Sequence, residues 1–219
     1  MKKGKYAKRT PFVKTLAVAM VLVTLIGCAI GGTLAWLTAE TQQVVNTFTV
    51  GKVGVNLTET NRTYKMIPGW YMDKDPKASV TEDSEDCYLF VKVTESTNAK
   101  FSDYMTYKIA QGWKKVPKVN SDGNPVIVDG KPVYEDGVYY MVFKDSDAGA
   151  EGKPVKGTAY SVLEGDKVWV KEEVTEAMME SLTTATYPTL TFQAYAAQLY
   201  KTNGVEFTAD EAWDIVSGN

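Results

Sequence analysis

The 219-residue sequence predicts an all-β fold with a minor α part: an antiparallel sandwich or barrel with one or two short helices, preceded by an N-terminal signal or transmembrane helix. Three observations carry this expectation. Beyond the first 45 residues, valine, threonine, tyrosine and phenylalanine recur in short runs separated by turn residues. Within these runs apolar and polar side chains alternate, the two-residue period of a strand with one buried face. Asp-Gly steps at Asp122-Gly123, Asp129-Gly130 and Asp136-Gly137 then mark tight turns, because this pair tolerates positive φ.

The leader comes first. Lys2, Lys3, Lys5, Lys8, Arg9 and Lys14 give a basic start, and residues 15–32 follow without a charge, as in an export signal. Small residues at Thr33 and Ala35 place a cleavage between Ala35 and Trp36. Two other fates are written into the same stretch. Eighteen uncharged residues lie within the span length of about 17 to 25, so an uncleaved leader would hold the chain to a membrane. Leu25-Ile26-Gly27-Cys28 has the order a lipoprotein peptidase cuts, which would leave a lipid on Cys28. Ala29, Gly31, Gly32 and Thr33 favour cleavage over anchoring, and the apolar run continuing to Leu37 speaks against lipidation.

Cleavage after Ala35 removes six of 24 basic residues and none of 27 acids, leaving a net charge of −9 on residues 36–219. Such a surface repels phosphate backbones, and no basic patch offsets it, so nucleic acid is not an expected partner. The remaining length supports one domain with its own core. Cys87 is then the single thiol, no internal disulfide can form, and its apolar neighbours mark it as a small buried hydrophobe.

Strands are expected over residues 46–50 and 53–57. Residues 87–93 form a central strand covered on both sides, with Leu89, Val91 and Val93 on one face and Tyr88, Phe90 and Lys92 on the other. Further strands are expected over 104–110, 138–144, 158–163, 167–170 and 189–200, the last entered through Pro188, where a missing amide donor is harmless. Residues 117–137 read as an inserted hairpin arm and 145–152 as a flexible loop whose acids lack the spacing of a calcium loop. One helix is expected over 172–182, with Val174, Ala177, Met178 and Met179 as its apolar stripe. A second starts at Thr208, where Thr208 and Glu211 form a capping box and Trp213 docks on the sandwich.

The chemistry is restricted by what is missing from the composition. The chain contains no histidine, which removes the imidazole ligands of His-Glu-x-x-His zinc proteases and the base of Ser-His-Asp and Cys-His catalysis. No Gly-rich phosphate loop follows a strand. The acid pairs Glu82-Asp83 and Glu85-Asp86 read as a solvated turn. The expectation is a protein that is not an enzyme, with no catalytic, cofactor-binding or metal-ligating residue. Trp70, Tyr71, Trp113, Tyr139 and Tyr140 could supply stacking faces for a sugar.

Gly31-Gly32-Thr33-Leu34-Ala35-Trp36-Leu37-Thr38, followed by Val45-Asn46-Thr47-Phe48-Thr49-Val50-Gly51, resembles the start of proteins with a SipW-dependent type of signal peptide, the TasA and camelysin (CalY-like) family of Gram-positive bacteria. Met66-Ile67-Pro68-Gly69 with Lys74-Asp75-Pro76, the strand from Cys87 to Val93, and Phe192-Gln193-Ala194-Tyr195-Ala196 with Glu211-Ala212-Trp213 are similar to later elements of that family. Residues 101–188 are largely outside the resemblance. It implies a jelly-roll sandwich, secreted, cut by a signal peptidase of SipW type, and displayed in the cell envelope or extracellular matrix. It also implies self-assembly into biofilm fibres, in which an N-terminal segment of one copy completes the sheet of the next. Here the assembly strand would be residues 36–50, with Trp36, Leu37, Val44, Val45, Phe48 and Val50 as apolar anchors. The same segment can instead pair within its own subunit, above all at Phe48 and Val50. The metallo-endopeptidase activity attached to camelysin is not expected in a chain without histidine. The expected partners are further copies of the chain and, during export, the signal peptidase; a membrane is expected only through an uncleaved leader. The alternative is a monomeric surface adhesin or carbohydrate- or ligand-binding module of the same fold.

Overall fold

A computed structural model describes Leu16, Val18, Met20 and residues 52–60, 64–98 and 100–218. The chain divides into two units, Met1–Thr49 and Val50–Asn219. In the first, Leu16, Val18 and Met20 are helical and exposed. The expected strand over 46–50 lies outside the described residues. Among the described residues no helix is long and apolar enough to cross a membrane.

The second unit is mostly β. Its strands are β1 (Val55–Thr58), β2 (Tyr71–Asp73), β3 (Lys77–Val80), β4 (Cys87–Glu95), β5 (Met105–Ile109), β6 (Lys114–Pro117), β7 (Ile127–Val128), β8 (Lys131–Pro132), β9 (Tyr134–Phe143), β10 (Tyr160–Ser161), β11 (Leu163–Val170) and β12 (Leu190–Gln198). Three short helices accompany them: α1 (Phe101–Tyr104), α2 (Glu176–Glu180) and α3 (Ala209–Ser217).

All strand pairs are antiparallel, and the larger sheets combine into two layers. β3 lies between β1 and β10, and β11 lies between β2 and β5. These two sheets are continuous: Lys74 N–H donates to the Asp166 carbonyl at 2.8 Å and Val162 N–H to the Pro76 carbonyl at 2.9 Å, carrying the ladder across the gap. The first layer therefore runs β1, β2–β3, β10–β11, β5. The second runs β12, β4, β9, β6. Between them, Ala78, Val80 and Val162 of the first layer meet Leu89, Val91 and Phe143 of the second, all fully buried. The result is sandwich-like.

β4 holds the centre, as its sequence requires. Leu89, Val91 and Val93 enter the core between the layers, while Tyr88 and Phe90 belong to a second cluster on the outer face. That face is closed by α3, whose Trp213 lies 5.5 Å from the Phe90 ring and 5.2 Å from the Tyr195 ring. The capping box is formed, with Thr208 N–H donating to a Glu211 carboxylate oxygen at 2.9 Å. Cys87 is buried, and desolvation pushes its thiol pKa up to about 11.

Several boundaries differ from expectation. The helix expected over 172–182 is confined to α2, because the Thr175 hydroxyl caps it by accepting the Met178 N–H at 3.2 Å. Val174, Met178 and Met179 pack on the third core cluster, but Ala177 is exposed and drops out of the stripe. The two strands expected over 158–170 divide at Val162 instead, and β11 absorbs a bulge at Gly165-Asp166, where both residues have positive φ. Residues 145–152 do not hang free: Asp145 takes the Lys156 ammonium at 2.7 Å and Asp147 that of Lys153 at 3.4 Å. Within residues 117–137, β7 and β8 are joined by Asp129-Gly130, both at positive φ as a two-residue primed turn requires.

Candidate assembly edge

Among the described residues, each layer ends in a strand paired on one side: β1 and β5 in the first, β12 and β6 in the second. Sheet edges expose unpaired N–H and C=O groups and invite a further strand unless lysine, proline, bulges or shortness discourage it. Three of the edges carry such devices. β6 has Lys114, Lys115 and Pro117 and an irregular register against β9. β5 is five residues with Lys108, and β1 is four residues.

β12 carries none of them. It is nine residues long, Leu-Thr-Phe-Gln-Ala-Tyr-Ala-Ala-Gln, and pairs with β4 in unbroken register from Leu190 opposite Glu95 to Gln198 opposite Cys87. Its start is clamped: Thr189 N–H donates to the Ser96 hydroxyl at 3.0 Å and Ser96 N–H to the Thr189 carbonyl at 2.9 Å. Its end is held by Leu199 N–H on the Asp86 carbonyl at 2.9 Å. Leu190, Phe192 and Ala194 turn toward the core between the layers, Tyr195 and Ala197 lie beneath α3, and Thr191 and Gln193 face solvent. β1 runs close to β12 but no ladder joins them.

At the Leu190 end of β12 opens a groove of about 690 Å³, lined by Met66, Met72, Met105, Met179, Phe101 and Leu190 among others. Thioether side chains make such a surface adaptable. Lys74 closes one wall. Its ammonium sits 5.1 Å from the Tyr64 ring and 5.3 Å from the Phe192 ring and pairs with the Glu59 carboxylate, the two side chains only 11% and 17% exposed. The Tyr64 hydroxyl donates to the same carboxylate at 3.1 Å. Burial first, and then the Glu59 charge, raise the Tyr64 phenol well above its ordinary range. This cluster ties the segment before β2 to the inward face of β12.

The residues expected at the cleavage site, Ala35 and Trp36, and the anchors Trp36, Leu37, Val44, Val45, Phe48 and Val50 lie outside the described residues. Among the described residues, β12 has a strand partner on its β4 side alone. The sequence reading did not single out this edge, although a signal was there: residues 181–200 contain no charged side chain.

The five aromatics considered for sugar stacking separate. Trp113 is 9% exposed and its indole N–H donates to the Ser161 carbonyl at 2.9 Å, so it is core and offers no face. Tyr140 packs against Tyr88 and Phe90. Trp70 and Tyr71 stand exposed after the Gly69 turn, with the Lys167 ammonium 3.8 Å from the Tyr71 ring centroid. Tyr139 lines a cleft together with residues of β4, β5 and β6. Among the acids expected to be solvated, Glu82, Asp83 and Glu85 are exposed, whereas Asp86 accepts from the Lys156 ammonium at 3.2 Å and from Asp145 N–H at 2.7 Å. Among the described residues, no three His, Cys, Asp or Glu side chains converge as a metal site would need.

No protein-family model, curated protein or solved structure matches this chain. The functional reading therefore rests on the leader, the residue patterns and the geometry of the β12 edge.

Proposed function

We propose that the protein is a secreted structural subunit of the cell envelope or extracellular matrix of a Gram-positive bacterium, a jelly-roll sandwich that builds fibres by strand addition. Residues 36–50 of one copy are the added strand, and β12 of the next copy receives them. The observation that carries this reading is the contrast between β12, nine residues without charge, proline or glycine, and the other three edges.

Topology supports it. With β2–β3 and β10–β11 each counted as one bent strand, the order of the inner strands supports the jelly-roll reading, a fold in which the first strand of the chain lies beside the last. Here β1 pairs with β3, and the segment we assign to the position beside β12 is the chain that precedes β1 in sequence. Reach agrees with this, since fifteen residues extend to about 50 Å and a nine-residue strand spans about 30 Å. The leader pattern supports export, and a histidine-free composition supports a structural over a catalytic role. The competing reading is a monomeric surface adhesin of the same fold, which draws on exposed Trp70 and Tyr71.

A synthetic peptide of residues 36–50 titrated into the chain beginning at Gly51 tests the proposal by hydrogen exchange. Slowed exchange along residues 190–198 is the expected result. Unchanged exchange there at saturating peptide would leave the adhesin reading standing.

A further inference from the structure

β5 of the first layer faces β9 and β6 of the second across an open cleft, which the end of β4 also lines. Two adjoining hollows of about 730 and 470 Å³ make it elongated, and Glu95, Tyr107, Lys115 and Tyr139 line both. Tyr107 from β5 and Tyr139 from β9 are half-buried, and Tyr134 at the start of β9 is 40% exposed. Tyr107 is fixed from two directions. The Glu95 carboxylate stands beside its hydroxyl, and the Phe101 ring meets it edge-on at 5.8 Å. The Lys115 ammonium lies 5.7 Å from the Tyr134 ring. Gly137, at φ +64°, forms part of the floor, where a Cβ would overlap the Val93 carbonyl oxygen and force β9 away from β4.

The chemistry of this cleft is that of a receptor for a polyhydroxylated chain. Phenol rings offer faces on which the C–H face of a pyranose stacks, while a carboxylate and an ammonium accept from and donate to its hydroxyls. The larger hollow is lined by Lys92, Lys100 and Lys115 against Glu95, Glu135 and Asp136. The signs are equal in this larger hollow, which holds all three tyrosines; the smaller adds Lys108, offset by Glu164 at 3.9 Å, and Lys171, so the charge around the tyrosines favours neither an anion nor a cation. The open, elongated shape suits a run of sugars rather than one, and equatorially linked hexoses are flat enough to present C–H faces along a row of rings. We propose that the cleft between β5 and β9–β6 binds a neutral, β-linked polysaccharide, with Tyr107, Tyr134 and Tyr139 as stacking platforms and Glu95 and Lys115 as hydroxyl partners. The lining of this site comes from β4, β5, β6, β9, the segment around α1 and Lys171, and not from β12, so it goes beyond the assembly proposal and does not depend on it; a fibre subunit carrying it would fasten protein to the glycan of its matrix.

The test uses the chain beginning at Gly51, which holds all three core clusters. Cellohexaose and chitohexaose are titrated by NMR, with maltohexaose as the α-linked contrast and polygalacturonate as the anionic one. Expected are shifts centred on Tyr107, Tyr134 and Tyr139 with at least one β-linked hexamer, weaker binding of both contrasts, and about tenfold loss of affinity in Tyr134→Ser. Tyr134 is exposed enough for that variant to fold, and Lys115→Ala provides a second readout that leaves the core untouched. No binding of either β-linked hexamer, shifts mapping to Trp70 and Tyr71, or affinity unchanged in both variants would overturn the assignment. Tighter binding of polygalacturonate or of maltohexaose would overturn the ligand class.

Discussion

Gly137 and Gly130 both occupy positive φ, yet they impose different constraints. At Gly137 an added Cβ would meet the Val93 carbonyl oxygen of the neighbouring strand, whereas at Gly130 nothing lies within 4 Å. Gly137→Ala should therefore destabilise by at least about 2 kcal/mol and Gly130→Ala by about 1, read from urea midpoints. Equal losses would show that β9 does not approach β4 as closely as described. Cys87 gives a second test at this scale. Its buried thiol, raised to about 11 chiefly by desolvation, should resist iodoacetamide at neutral pH in the folded chain and react once urea unfolds it, as peptide mapping would show. The burial of Cys87 and of Trp213 was legible in the sequence, because each sits in an apolar pattern whose covered face is set locally. Trp113 was not. Whether a tryptophan is covered depends on which strands pass over it, and its partner, the Ser161 carbonyl, is 48 residues away in sequence.

At the scale of elements, α3 offers a test with a defined sign. The hydrogen bond from the Lys201 ammonium and then that from Thr208 N–H hold the Glu211 carboxyl below its ordinary pKa. A carboxyl depressed in the folded state stabilises it above the unfolded pKa, and this contribution disappears as pH falls through the folded value. The near-UV signal of Trp213 should therefore weaken on acidification into the carboxylate range, and Glu211→Gln should remove that part of the pH dependence. Glu211 is partly open to solvent, so the loss is modest, about 0.5 kcal/mol. The capping box was readable from four residues because it is a local device. β4 was readable for a related reason: a strand buried on both faces has no polar alternation to disguise it. The division of 158–170 at Val162 was not, since the bulge at Gly165-Asp166 is dictated by pairing with both β2 and β5. The β12 edge lay between these cases. Its missing charges were visible, but its standing as an edge depends on what pairs beside it.

For the whole molecule, turn and strand patterns sufficed to predict an all-β unit, because alternation and Asp-Gly steps are short-range signals. The pairing order of the two layers is set by contacts between distant segments and is absent from any single run. The proposed assembly belongs to this scale as well, since it would join the leader's processing to the β12 edge: in that proposal a copy adds its strand after cleavage frees Trp36, and β12 itself is uncharged throughout. The direct measurement is the particle size, by sedimentation and negative-stain microscopy, of the chain beginning at Trp36 beside the chain beginning at Gly51. Filaments from the first, with the second remaining monomeric and Thr191→Lys with Gln193→Lys on β12 reducing filament yield, is the predicted result. Folded monomers from both chains would contradict strand addition and give the protein back to the adhesin reading.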